Sequence, residues 1–359
     1  MQPSRAIRAA LLAVIIVVAG VSANDASPDA LIEGSHWKRL AAAAEQRLRA
    51  NPNDARANYW MAFAKFEYRD YDGAQALAEK AVALDPKNAD HHYVLGIVYG
   101  RQAERANIFR QPGLAGKFKR ETEQAIALDP QHINARMALI DFHLQAPGIV
   151  GGDKKRAHQY AEEILKIDPA RGWLAKARIA RREKQDDQLE AFYLKAVEAN
   201  PKHYGARLAL AGFYSAGASS KLDLAEKHAR EALGIDAGRA GAYSQLASLY
   251  AHQQRWKELD GVLAQAEKNV PDNLSPFFFA ARSLLVKGAE MPRAEGYLRK
   301  YLGQPPEPDA PSHAHARWRL GNVIEKLGRA EEACREYREA VRQDDKLEDA
   351  KKDLKRLCR

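Results

Sequence analysis

The sequence predicts an all-α fold: a right-handed solenoid of about eight helix pairs, with a helix closing each end. Three observations lead there. Prolines recur with a period near 34 residues. Small and apolar residues recur at fixed offsets before them. The 23 Gly and 16 Pro of the 359 residues are spread between helix-length, Ala-rich stretches, as expected of helices joined by short turns. A hydrophobic share of 46% suits a folded core, and no stretch has the composition of disorder.

The chain opens with Arg5 and Arg8, an uninterrupted apolar run of 12 residues from Ala9 to Gly20, and then Val21-Ser22-Ala23. This is the order of a secretory leader, cut after Ala23. The run is too short to span a hydrocarbon layer of ~30 Å comfortably. The expected location is a bacterial periplasm; an uncleaved inner-membrane anchor is the alternative. Residues 1–23 are read as leader, 24–345 as solenoid and 346–359 as a closing helix. Losing Arg5 and Arg8 lowers the net charge from +9 to 54 − 47 = +7. The acidic and basic residues interleave at helical spacing, which describes a solvated mixed-charge surface.

Residues 30–50 read as one amphipathic helix, Leu31 to Arg49. The turn-forming steps then follow: Asn51-Pro52, Asp85-Pro86, Asp129-Pro130, Asp168-Pro169, Asn200-Pro201, Asp236-Ala237, Val270-Pro271 and Pro305-Pro306. Each Pro is placed where a second helix must stop. Ala74, Ala78 and Ala81 precede Pro86 and let two helices press together. Leu95-Gly96 with Tyr99, Leu210-Ala211 with Tyr214, Leu246-Ala247 with Tyr250, and Leu320-Gly321 open successive units. The expectation is an apolar knob, a close helix crossing, and an aromatic packed into the next unit. Residues 346–357 form a charged helix with Leu347, Leu354 and Leu357 on its apolar side, a polar cap of the kind a repeat stack needs.

On these residues the chain resembles the tetratricopeptide repeat family over roughly 30–345. Two units depart from the pattern. The one at 172–201 reads Arg178-Ile179 where an apolar-small pair is expected, and the one at 274–306 has an irregular Pro-rich exit. Inserts fall near 102–117 (Gln111-Pro112-Gly113-Leu114) and 146–154 (Ala146-Pro147-Gly148-Ile149), each read as a loop between the helices of its unit. Leu114 or Ile149 is expected to tuck into the core and Asp153 to cap the next helix. A phosphate loop is excluded by spacing.

The first helices of such pairs line the inner, concave side. Its candidate partner-binding residues are Tyr59, Phe63, Phe66, Tyr93, Ile97, Arg101, Met137, Asp141 and Leu144. Trp173, Lys176, Ser244, Ser248, Phe278, Arg282, Trp318 and Asn322 continue the row. An aromatic, partly apolar groove suits an extended peptide or an amphipathic helix. The expected function is a non-catalytic scaffold that holds a protein or peptide. An alternative is an anionic glycan or lipid-headgroup binder using the basic edge of the inserts: Lys117, Lys119, Arg120, Lys154, Lys155 and Arg156. Another is a non-catalytic subunit of an exported enzyme complex.

No residue pattern motivates catalysis, a cofactor or a metal. His91-His92 and His313/His315 lack ligand-spaced companions. The basic run Arg178, Arg181, Arg182, Lys184 is broken by Glu183 and Asp186-Asp187, so no nucleic-acid partner is expected. Cys334 and Cys358 are the only cysteines. One bridge between antiparallel helices and two half-buried thiols are the two readings left open, as is the oligomeric state.

Overall fold

The computed structural model describes residues 26–216 and 221–358; the expected leader lies outside them. Among the described residues there are 19 α-helices and no strand. Two leading helices, α1 (Pro28–Gly34) and α2 (Trp37–Ala50), precede eight pairs. The pairs are α3 (Ala55–Glu67) with α4 (Tyr71–Leu84), α5 (Ala89–Arg105) with α6 (Gln111–Leu128), α7 (Ile133–Gln145) with α8 (Lys154–Ile167), and α9 (Pro169–Arg182) with α10 (Leu189–Ala199). They continue as α11 (Tyr204–Ser215) with α12 (Leu222–Ile235), α13 (Ala240–His252) with α14 (Trp256–Asn269), α15 (Ser275–Lys287) with α16 (Met291–Leu302), and α17 (His313–Lys326) with α18 (Ala330–Gln343). α19 (Glu348–Leu357) closes the end.

The helix ends follow local chemistry. Asp54, Asp70, Asn88, Asp153 and Asp168 each accept a backbone N–H from the first turn of the helix they precede, the usual way of satisfying orphan donors. The expected 30–50 helix is two helices. Ser35 takes a left-handed conformation (φ 60°), and its N–H with that of His36 closes α1 on Ile32 and Leu31. Pro169 starts α9 rather than ending a turn, and Asp168 serves as both the end of α8 and the cap of α9. That one-residue corner needs Gly172, where a Cβ would sit 2.3 Å from the Leu165 Cα.

The small-residue positions are helix crossings. Ala74, Ala78 and Ala81 are buried. A Cβ on Gly96 would lie 2.6 Å from Thr122 Oγ1, and one on Gly321 2.4 Å from Tyr337 Cε1. The aromatics, however, reach back to the preceding unit rather than on to the next. Tyr99 donates to Glu79 at 2.7 Å, Tyr214 to Glu190 at 3.0 Å and Tyr250 to Glu226 at 2.9 Å. Each is a first helix pinned to the second helix before it. In the 172–201 unit the close crossing is at the buried Ala177, so the pair in register is Lys176-Ala177, two residues before Arg178-Ile179.

The two inserts differ. Residues 111–117 are the first turns of α6, not a loop, and the connection is 106–110. Pro112 near the first position of a helix is compatible with continuation. Residues 146–153 do form a loop, with a 3-10 turn at Gly148–Val150 and Gly151 at φ 103°. Leu114 packs against the core, whereas Ile149 is exposed.

At the far end a disulfide joins Cys334 of α18 to Cys358 after α19, with Cα atoms 5.6 Å apart. α19 lies over α17: Trp318 Nε1 donates to Asp353 at 2.9 Å, and Arg356 pairs with Glu325 at 2.6 Å.

Candidate functional site: the inner face

First helices contact first helices along the stack (α3 with α5, α5 with α7, α7 with α9), so their outward row forms the inner face. Of the expected residues, Phe66, Tyr93, Ile97, Met137, Asp141 and Leu144 are half-buried and Arg101 is exposed. They form a continuous row over three repeats. Tyr59 and Phe63 are not open: they are only 7% and 8% exposed. The Trp37 ring of α2 packs at a tilt 5.3 Å from Phe63, and Tyr59 packs 5.5 Å from His91. They form the floor beneath the row. Burial, with Glu67 adding to it, raises the Tyr93 phenol above its ordinary value, so it stays a neutral donor. Asp141 is already held by Arg178 of α9 through two bonds of 2.6 and 2.7 Å.

Further along, the row changes character. Ser244 and Ser248 hydrogen-bond Ser275 and Ser283 at 3.2 and 2.7 Å, drawing α13 and α15 together. Phe278 is buried against Tyr301, and its neighbour Phe279, under Arg282, is the half-buried one. Trp173 stacks on Phe192 between Lys176 and Lys195. Trp318 and Asn322 are engaged by Asp353 of α19. Small residues at Gly205, Ala209 and Gly212 leave a cleft of about 1130 Å³, walled by Leu189, Tyr193, Leu208 and Phe213 with Arg181 and Lys221 at its rim. The Gly and Ala spacing in α11 is the one sequence signal that points to it.

The stack also closes on itself. The turn between α1 and α2 meets two connections more than two hundred residues away. His36 Nδ1 lies 3.2 Å from Asp272, Arg39 donates to Asp272 at 2.5 Å, and Lys38 Nζ donates to the carbonyls of Asp272 and Pro305 at 2.5 and 2.8 Å. Glu307, fully buried, accepts from the Lys38 backbone N–H at 3.3 Å. Its Oε1 has no hydrogen-bond partner among the described residues. The long Pro-rich exit at 303–312 thus serves as the strap of this seam.

The seam carboxylates split. Burial pushes Asp272 up, but the hydrogen bond and charge of His36 and the charge of Arg39 outweigh it and hold it at about 2. Burial lifts Glu307 to about 7, with Asp272 and Asp309 adding and Lys38 opposing. Burial and Asp309 lift Glu67, at the end of α3, to about 7 as well.

The expected basic edge is largely engaged. Lys117 lies over Tyr99 and Arg156 over Tyr160, Arg120 pairs with Glu121 at 2.8 Å, and Lys119 and Lys154 approach Glu123 and Glu183 at 3.8 Å. Among the described residues no group of three or more His, Cys, Asp or Glu is arranged to hold a metal, and no helix is long and apolar enough to cross a membrane.

Eight stacked pairs with a lined inner face define an α-helical repeat solenoid. A family model described as tetratricopeptide repeat matches residues 170–203, one of the eight helix pairs. The matched unit is the one whose register the sequence obscured.

Among solved structures the chain is similar to a thermophilic tetratricopeptide protein of Thermus thermophilus, at 20% identity over 52% of this chain and 94% of that one (TM-score 0.45). It is also similar to yeast Tom70, at 13% over 92% and 79% (0.49), and to the human IFIT1 dimer with m7Gppp-AAAA, at 17% over 85% and 77% (0.44). No curated protein matches the sequence.

Proposed function

We propose that the inner face holds an extended peptide or an amphipathic helix of a partner protein, and that the chain is a non-catalytic periplasmic scaffold exported by a cleaved leader. The observation that carries this is the half-buried row Phe66, Tyr93, Ile97, Met137 and Leu144. Such side chains gain by losing their remaining contact with water. Arg101 and the rim of the 1130 Å³ cleft supply polar groups to orient a backbone. A bulky partner reaches the row only where the closed seam leaves an opening or parts.

The test is capture of crosslinked partners from the periplasm by the full chain and by an Ile97→Glu/Met137→Glu variant with an unchanged helical spectrum. A protein held by the first and lost by the second supports the reading. Equal capture by both removes the inner face from consideration. The reading also expects no affinity for single-stranded RNA, checked by anisotropy of a labelled oligonucleotide. The N-terminus of the exported chain is expected at Asn24, checked by intact mass.

A further inference from the structure

Three of the four most exposed large apolar side chains among the described residues lie on the two insert edges, the fourth being Val286. Ile108, Phe109 and Ile149 are 75%, 91% and 97% exposed. Most apolar side chains of this size are packed into the core, so three at the tips of neighbouring turns need a reason.

The two turns belong to adjacent repeats and share one edge. Phe118 of α6 packs at a tilt 5.1 Å from Phe142 of α7, and Phe142 in turn faces Gly151 of the second turn. His143 reports the same convergence. It hydrogen-bonds the Gly151 carbonyl at 2.9 Å, and burial together with Lys119 of α6 and Arg156 of α8 keeps it below its usual value.

Basic residues predominate around the tips. From Arg105 through Arg120 the chain carries five basic residues and no acidic one. In the second turn Lys154, Lys155 and Arg156 follow Asp153 directly. They occupy the first turn of α8, and α6 likewise has no acidic residue in its first turn. Cations at a helix N-terminus oppose the helix dipole, so helix stability does not account for them.

We infer that this edge docks on the surface of an anionic phospholipid bilayer, with Ile108, Phe109 and Ile149 entering the interface and the flanking Lys and Arg contacting headgroups. The apolar groups project singly from loop tips instead of lining a shaped hollow. That form suits a fluid interface, which closes around each side chain, better than the fixed surface of a protein. Lys117 and Arg156 lie over the Tyr99 and Tyr160 rings and so keep their net positive charge, whereas Arg120, Lys119 and Lys154 pair with Glu121, Glu123 and Glu183; Lys155 and Arg110 are exposed at the turns. This surface is separate from the inner face, and its failure would leave the groove reading untouched.

The test is flotation of the full chain with phosphatidylglycerol vesicles and with phosphatidylcholine vesicles, beside an Ile108→Ser/Phe109→Ser/Ile149→Ser variant. All three positions are solvent-facing, so the variant should keep its helical spectrum. The expected result is binding to phosphatidylglycerol, little to phosphatidylcholine, and a loss on the order of tenfold or more in the variant, since each large apolar side chain returned to water weakens partition by about that factor. Added salt should also weaken it. A wild-type chain that stays in solution with phosphatidylglycerol overturns the inference. So does equal flotation of wild type and variant, which would place any binding in the leader or in headgroup charge alone. Equal binding to both lipids overturns it as well.

Discussion

Replacing Glu307 by Gln should tighten the seam above neutral pH and leave it almost unchanged in acid. Glu307 is fully buried, with one oxygen facing the Lys38 N–H and the other without a partner among the described residues. Lys38 faces it from the α1–α2 turn, Asp272 and Asp309 from the two connections, and Tyr68 from the end of α3, while His36 and Glu67 face Asp309. A carboxyl raised on closing favours the protonated closed form. The closed seam therefore carries no penalty below the ordinary value of 4.5. The penalty grows through the interval up to about 7 and is complete above it. The rise from 4.5 to about 7 corresponds to about 3 kcal/mol. Gln has the same shape and no charge, so it should recover most of that at about pH 8. Hydrogen exchange of residues 36–40, compared between variant and wild type at one pH, reads the opening directly. Protection should rise by up to about a hundredfold at alkaline pH and differ little near pH 4.5. Unchanged or lower protection at alkaline pH would refute the argument that an ionised Glu307 burdens the seam.

Other outcomes follow from the packing. Cys334→Ser, which opens a bridge spanning 24 residues, should cost about 3 kcal/mol in the chain-entropy picture and free α19, seen as a changed Trp318 emission. Gly321→Ala places a Cβ 2.4 Å from a Tyr337 ring atom; it should lower stability by about 1–3 kcal/mol in urea titration. Gly172→Ala meets the Leu165 backbone at 2.3 Å, where no side chain can swing away, so its loss should exceed that of Gly321→Ala in the same titration. Phe63→Ala should behave as a core truncation, costing about 3–5 kcal/mol, whereas Ile97→Ser on the half-buried row should cost less.

The repeat is legible because its cause is local. A second helix must stop, so Asp-Pro or Asn-Pro recurs; two helices must cross closely, so Ala or Gly recurs. Departures from that logic mislead. Gly34-Ser35 breaks the leading helix, yet it stands inside an apolar period that looks continuous. Pro112-Gly113 resembles Pro147-Gly148, but only the second is followed by two glycines the turn requires: Gly151 at φ 103° and Gly152, whose Cβ would lie 1.8 Å from the Ala146 carbonyl oxygen. In α9 a two-residue slip in register hides the crossing at Ala177.

The row of inner-face residues can be read from periodicity, but its depth cannot. Trp37 covers Phe63 only because α2 packs as it does. The seam depends on the curvature accumulated over six repeats, which brings His36 to Asp272, 236 positions on. Nothing near either residue encodes that meeting.

The central claim is that the inner face holds a protein. Its most direct test is a photo-crosslinking side chain at Ile97 in living cells, set against one at Gln124 on the exposed side of α6. The account predicts a discrete adduct of one added mass from Ile97 and none from Gln124. Adducts from Gln124 alone, or none from Ile97 with the chain folded and exported, would contradict it.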